Sequence, residues 1–146
     1  MATNRMTVLD GLYVHEVFDN FVEAKTKKEK IKILQDNNHH AVRDIIRGGM
    51  DPKIVFLLPK GKPPYQAARP ESAASNLIKR NTDFNYFIKS GQGDQMSAVK
   101  RESMFINLLE SIHPADAELV LNMIEKKPPC KGMTKKIVEE AYPGLL

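Results

Sequence analysis

Apolar side chains recur at spacings of three and four along most of this chain, and each such window is closed within a few turns by proline, glycine or a capping residue. That period places them on one face of a helix, whereas a half-buried strand needs alternation with a period of two. Tyr13, Val14, Val17, Phe18, Phe21 and Val22 define the stripe of a first helix running from about Leu12 to Ala24. Thr26 and Glu29 have capping-box spacing, in which each side chain satisfies a backbone N–H at a helix start, and the helix that follows presents Ile31 and Leu34. Asn37 and Asn38 are expected to cap a third helix with Val42, Ile45 and Ile46 on its core face, ended by Gly48 and Gly49.

From Asp51 the texture changes. Ile54 to Leu58 form a compact apolar run that leads into Pro59, Pro63, Pro64 and Pro70, which predicts a turn and an extended, packed connector. Leu77, Ile78, Phe84, Phe87 and Ile88 support a fourth helix, weakened in its middle by Asn81, Thr82 and Asp83. A loop at Ser90 to Asp94 precedes the strongest helix, which carries Val99, Phe105, Ile106, Leu109 and Ile112. His113-Pro114 opens a sixth, with Asp116 and Glu118 placed to favour its N-terminus through the helix dipole. Its stripe of Ala117, Val120, Leu121 and Ile124 is widened by Leu119 and Met123, so it is expected to be the central helix. Pro128 and Pro129 stop it, and Thr134 caps a last helix with Val138, Ala141 and Tyr142. The fold class is therefore all-α: one domain over residues 1–146, an irregular bundle of six to seven short helices with an extended Pro-rich connector and 59–75 as its candidate flexible segment.

Length and composition narrow the function classes. With 146 residues, 42% apolar and 27% charged, the chain can bury one core and resembles an ordinary water-soluble domain. Its longest apolar runs are far below the roughly 20 residues that cross a bilayer, and the segment from Met1 to Asp10 lacks the pattern of a secretory signal. Cys130 is the only cysteine, so no internal disulfide forms, and a cytoplasmic location is expected. The formal charge of +4 permits contact with nucleic acid without requiring it.

Three segments, DPKIVFLLPKGKPPY at 51–65, KRESMFINLLESIHPADAELVLNMIEK at 100–126 and GMTKKIVEEAYPGLL at 132–146, resemble a family of small, uncharacterised proteins encoded by T4-like bacteriophages. The resemblance implies a phage protein that acts in the cytoplasm of the infected host or is packaged in the virion. It implies no activity and supplies no catalytic residues, so the functional reading rests on the side chains themselves.

No assembled catalytic or metal-binding set emerges from the spacing. His39, His40 and Asp44 suggest a metal, but a site needs at least three ligands, and the remaining histidines, His15 and His113, have no ligand spacing with them. Gly91-Gln92-Gly93 lacks the GK[ST] sequel of a phosphate-binding loop, and Cys130 has no sequence neighbour that would activate it. Pro63-Pro64-Tyr65 resembles a polyproline ligand but lacks PPxY spacing, and Leu57, Leu58 and Tyr65 are expected to tack the connector to the bundle. No enzyme activity, cofactor, metal or small-molecule substrate is assigned.

Two surfaces remain. Lysines cluster at Lys25 to Lys32 and at Lys126 to Lys136, and folding could unite Lys27, Lys28, Lys135 and Lys136 with Lys60 and Lys62 into a face that attracts phosphates. At the C-terminus, Pro143 and Gly144 break the last helix, so Tyr142, Leu145 and Leu146 form either a hydrophobic docking hook or an anchor on the bundle. The leading function is a non-enzymatic accessory protein that binds a phage or host protein of the replication, transcription or assembly machinery. The alternatives are a sequence-nonspecific nucleic-acid binder using the lysine face and, less directly, a virion component.

Overall fold

A computed structural model describes residues 6–59 and 61–146. Seven α-helices follow one another among the described residues: α1 (Val14–Glu23), α2 (Lys27–Asp36), α3 (His40–Met50), α4 (Leu77–Arg80), α5 (Ala98–Ser111), α6 (Pro114–Ile124) and α7 (Lys135–Ala141). The all-α class is as expected, and the only β-type pairing among the described residues is an isolated antiparallel bridge between Phe56 and Ile88.

The helix starts follow local chemistry. Thr26 Oγ1 accepts from Glu29 N at 3.1 Å, and Glu29 in return accepts from Lys25 N at 3.3 Å. Asn76, Ser97 and Thr134 cap α4, α5 and α7 in the same way, each leaving one less orphan amide. Two caps are imidazoles: Nδ1 of His39 and of His113 accept from Ala41 N and Ala115 N, both at 3.0 Å. The third helix is thus capped by His39 rather than by Asn37 or Asn38. Asn37 instead closes α2 and fastens the N-terminal turn, its carboxamide oxygen accepting from Val8 N at 2.9 Å.

α6 lies at the centre, against α3, α5 and α1, while α2 packs between α1 and α7. Its burial is therefore broad: Asp116, Ala117, Leu119, Val120, Leu121 and Met123 are all inside. Around it Phe18, Phe21, Leu34, Ile45, Ile46, Phe87, Leu108 and Leu109 are fully enclosed, each such side chain contributing about 1.5–3 kcal/mol relative to exposure. Some expected stripe members fall outside. Tyr13 and Val22 flank the α1 stripe in solvent, and Val99 is 79% exposed in the first turn of α5, where Arg101 is the buried residue.

Gly48 and Gly49 do not end α3; both are buried inside it. A Cβ on Gly48 would lie 2.5 Å from Met123 Sδ, and one on Gly49 would run into the backbone carbonyl of Lys127. The glycines are where α3 and the end of α6 come closest, a tertiary demand that overrides helix propensity. The helix is stopped instead from α6. Lys126, held at a left-handed φ of 62°, sends its ammonium to the carbonyls of Gly48, Asp51 and Ile54 at 2.6, 2.7 and 2.8 Å. The Gly48 carbonyl is one of the acceptors that a helix end leaves behind, and the Asp51 carbonyl also accepts from Ile54 N at 3.1 Å, closing the turn that follows.

The fourth expected helix divides. α4 covers one turn, and a 3-10 stretch (Asn81–Tyr86) carries the rest. Asn81, Thr82 and Asp83 are poor helix-interior residues, and Arg80 reaches Asp83 Oδ2 at 2.8 Å, fixing the tighter turn. The connector is packed as well as extended. Leu57 N bonds Phe87 O at 2.7 Å, Lys89 N bonds Val55 O at 2.8 Å, and Gln66 N bonds Glu110 Oε2 at 2.7 Å. Buried Arg101 draws it in further, donating to the carbonyls of Leu57, Gly93 and Met96.

Candidate functional site

Along α3, His40, Asp44 and Arg47 succeed one another at helical spacing and share a face. Opposite them stands the 3-10 stretch with Asn81, Thr82 and Asn85, and Gln92 closes one end. Between these walls lies a groove of about 540 Å³ whose floor is Gly48, Ile54, Phe56, Phe84, Ile88 and Met123. The devices that override local propensity all serve this floor. The isolated bridge pairs Phe56 with Ile88, the two glycines bring Met123 up against α3, and Lys126 holds the turn that carries Ile54.

The walls are tied across the groove. Asn81 is buried and donates Nδ2 to Asp44 Oδ2 at 2.8 Å, so the 3-10 stretch hangs on α3 by a charge-assisted bond. Arg47 Nε lies 3.7 Å from Asp51 Oδ2, with half of its side chain in solvent. His40 Nδ1 is 3.1 Å from an Arg43 amino group. The rim therefore combines carboxamides, a hydroxyl and offset charges over an apolar floor. That arrangement takes an apolar side chain below and offers donors and acceptors for a peptide backbone above.

The lysine surface is assembled only in part. α2 and α7 pack together, so Lys27 and Lys28 share this pair of helices with Lys135 and Lys136, but Lys27 Nζ pairs with Glu140 at 3.0 Å and Lys32 with Asp36 at 3.3 Å. Lys62 belongs elsewhere: it pairs with Glu118 of α6 at 3.3 Å and lies over the Tyr65 ring. Lys60 lies outside the described residues. Surface pairs of this kind interleave negative charge with positive and contribute little to stability.

The C-terminal residues lie on the bundle. Tyr142 is 6% exposed and its hydroxyl donates to the Leu34 carbonyl, while burial pushes its pKa up and keeps it a donor. Leu145 and Leu146 are half-buried against the same core. The geometry is that of the anchor, because Gly144 at a φ of 84° turns the chain back instead of releasing it. Cys130 is partly buried, and that burial pushes its thiol up to about 12 despite nearby Lys30, and so keeps it protonated at neutral pH.

Periodicity did not single out Thr82, Asn85 or Gln92. Thr82 lies in the run of helix breakers at Asn81, Thr82 and Asp83 inside an otherwise helical window, and Gln92 lies between two glycines, but neither signal points to a groove wall. His40 and Asp44, by contrast, come together on the groove wall without converging as ligands, for no group of three candidate metal ligands forms among the described residues.

Comparison with curated proteins and with solved structures returns no match. Every lining residue of the groove falls within residues 17–128, the span over which the chain matches a family model, whereas Tyr142, Leu145, Leu146, Lys135 and Lys136 fall beyond it. On that match, the chain belongs to the DUF6433 family, a family of unknown function.

Proposed function

We propose that the chain is a non-enzymatic accessory protein of a T4-like bacteriophage, and that it binds a protein partner in the groove between α3 and the 3-10 stretch. The partner is a phage or host component of the replication, transcription or assembly machinery, and the bound element is a short segment with an apolar anchor residue. The observation that carries this reading is the groove's composition: an apolar floor of Phe56, Phe84, Ile88 and Met123 beneath a rim whose charges offset one another. A polyanion gains nothing from such a rim, and the lysine face outside it is partly neutralised by Glu140 and Asp36. Packing of the tail on the bundle buries Tyr142 and leaves Leu145 and Leu146 only partly exposed, which favours the groove over the tail as the docking element.

The test is affinity capture from infected cells with nuclease present throughout. Thr82→Arg and Asn85→Arg, both at exposed rim positions, fill the groove without touching the core and are expected to abolish capture at unchanged helical content. Replacing Lys28, Lys135 and Lys136 by Gln is expected to leave capture intact. Loss of the partner on nuclease treatment, or on lysine replacement alone, would transfer the function to nucleic-acid binding.

A further inference from the structure

A second cavity, separate from the groove, opens where the N-terminal turn meets the segment before α4. Its wall is mixed: Leu12, Pro70 and Ile78 supply apolar surface, and Glu71, Lys79 and Asp116 supply charge. The Asp116 carboxylate is 1% exposed. Both hydrogen bonds it receives fall on Oδ1, from His15 N at 2.9 Å and from the His15 ring Nδ1 at 2.8 Å. Oδ2 is left without a protein donor among the described residues. Arg101 Nε is the only fully enclosed side-chain polar atom without a partner among the described residues, so Oδ2, with its acceptor capacity spare, keeps a narrow opening onto the cavity that Asp116 lines.

His15 completes the charge only conditionally. Its ring forms a three-membered cluster with Tyr13 and His113, with centroids 5.5 and 4.5 Å from it and 4.8 Å from each other, and this packing favours the orientation that faces Oδ1. The other charged groups near the pair are Glu16 and Asp19 on α1, and Glu71 and Lys79 on the cavity wall. Lys79 is exposed and forms no ion pair among the described residues, so the pocket's own charges sum to net negative whenever His15 is neutral. The cavity's shape and chemistry together ask for a positive group on an apolar stem.

We propose that this cavity is a binding site for an ammonium or guanidinium group carried on a short alkyl chain, held by Asp116 Oδ2 with its stem against Leu12, Pro70 and Ile78. Such a group is found in a free amine and in the side chain of lysine or arginine. Because ligand and His15 proton share one carboxylate, each weakens the other, and the coupling is reciprocal. Binding therefore strengthens as pH rises and His15 loses its charge.

The test is an NMR titration of the full chain with n-butylammonium, with Nα-acetyl-lysine amide and Nα-acetyl-arginine amide, and with n-butanol as the uncharged match. The cations are expected to saturate, to shift the His15 ring signals, and to lower the pH at which that ring titrates. Tighter binding of the blocked amino acids assigns the site to a basic side chain of a partner; tighter binding of butylammonium assigns it to a free amine. Asp116→Asn keeps an oxygen for both His15 bonds while removing the charge, and should weaken the cations by roughly tenfold or more, as expected for a charge-assisted bond. Binding of butanol as tight as that of butylammonium, an unchanged His15 titration in the native chain, or the absence of saturation by any cation would overturn the proposal.

Discussion

Gly49→Ala separates a close-packed helix contact from a tolerated glycine. In an exposed helix interior the change stabilises by about 1 kcal/mol, because alanine surrenders less conformational entropy. Here the new Cβ would stand less than 3.0 Å from the Lys127 carbonyl oxygen and 3.3 Å from its carbon, against the about 3.5–4.0 Å at which such atoms rest. The obstacle is backbone, and that backbone is itself fixed by Lys126 and its three carbonyl partners. Overpacking of this kind costs about 1–3 kcal/mol, and more where nothing can rotate aside. A fixed backbone obstacle puts the cost in the upper part of that range, about 2–3 kcal/mol, and with the propensity gain offset against it the expected net loss is about 1–2 kcal/mol, or roughly 2–8 °C in Tm for a chain of this size. Gly48→Ala is the internal control, since its Cβ would meet the flexible Met123 side chain, which can move. It should be milder, and should narrow the groove floor. Denaturant unfolding followed by far-UV circular dichroism measures both. If Gly49→Ala is as stable as the parent or more so, α3 and α6 do not approach as described, and the floor of the groove is not built as argued.

Three further outcomes follow from the same structure. Deleting Leu145 and Leu146 should lower stability by about 1–3 kcal/mol, since both are half-buried on the core, and Tyr142→Phe by about 1 kcal/mol for the lost bond to Leu34; an unchanged thermal midpoint after the deletion would restore the docking hook. Lys126→Met should cost about 1–3 kcal/mol by removing the ammonium donor shared by three carbonyls, read from the denaturant midpoint. Burial of the His15 ring opposes its charge, but the Asp116 hydrogen bond and the charges of Asp116, Asp19 and Glu16 prevail, so its pKa lies above the usual 6.5. The stability this pair contributes is complete below about pH 6.5 and is lost as pH rises through the folded-state pKa; a pH series of denaturant midpoints should show that fall in the parent and not in His15→Gln.

Much of the fold was legible in the sequence because it rests on neighbours along the chain. Thr26 with Glu29, Thr134, and Pro114 after His113 set helix starts through bonds spanning a few residues, and the stripe of Val14, Val17, Phe18 and Phe21 fixed the buried face of α1. What was not legible is tertiary. Gly48 and Gly49 read as a helix stop because propensity contains no term for α6 arriving at their backbone. Lys126 read as one member of a lysine cluster, yet its charge is spent on carbonyls more than 70 residues away in sequence. Asp116 read as a dipole partner at a helix start, and its strongest bonds go to His15 on α1. The groove itself has no sequence period, since its walls come from α3 and a 3-10 stretch distant in sequence that pack together and share the Asn81–Asp44 bond.

The central claim is that the partner occupies the groove, and hydrogen–deuterium exchange of the captured complex against the free chain tests it most directly. The account predicts new protection confined to His40 to Gly48 on α3 and to the backbone from Asn81 to Gln92, with α2 and α7 unchanged. Protection centred instead on α2 and α7, where Lys27, Lys28, Lys135 and Lys136 lie, or on the residues from Tyr142 to Leu146, would contradict it.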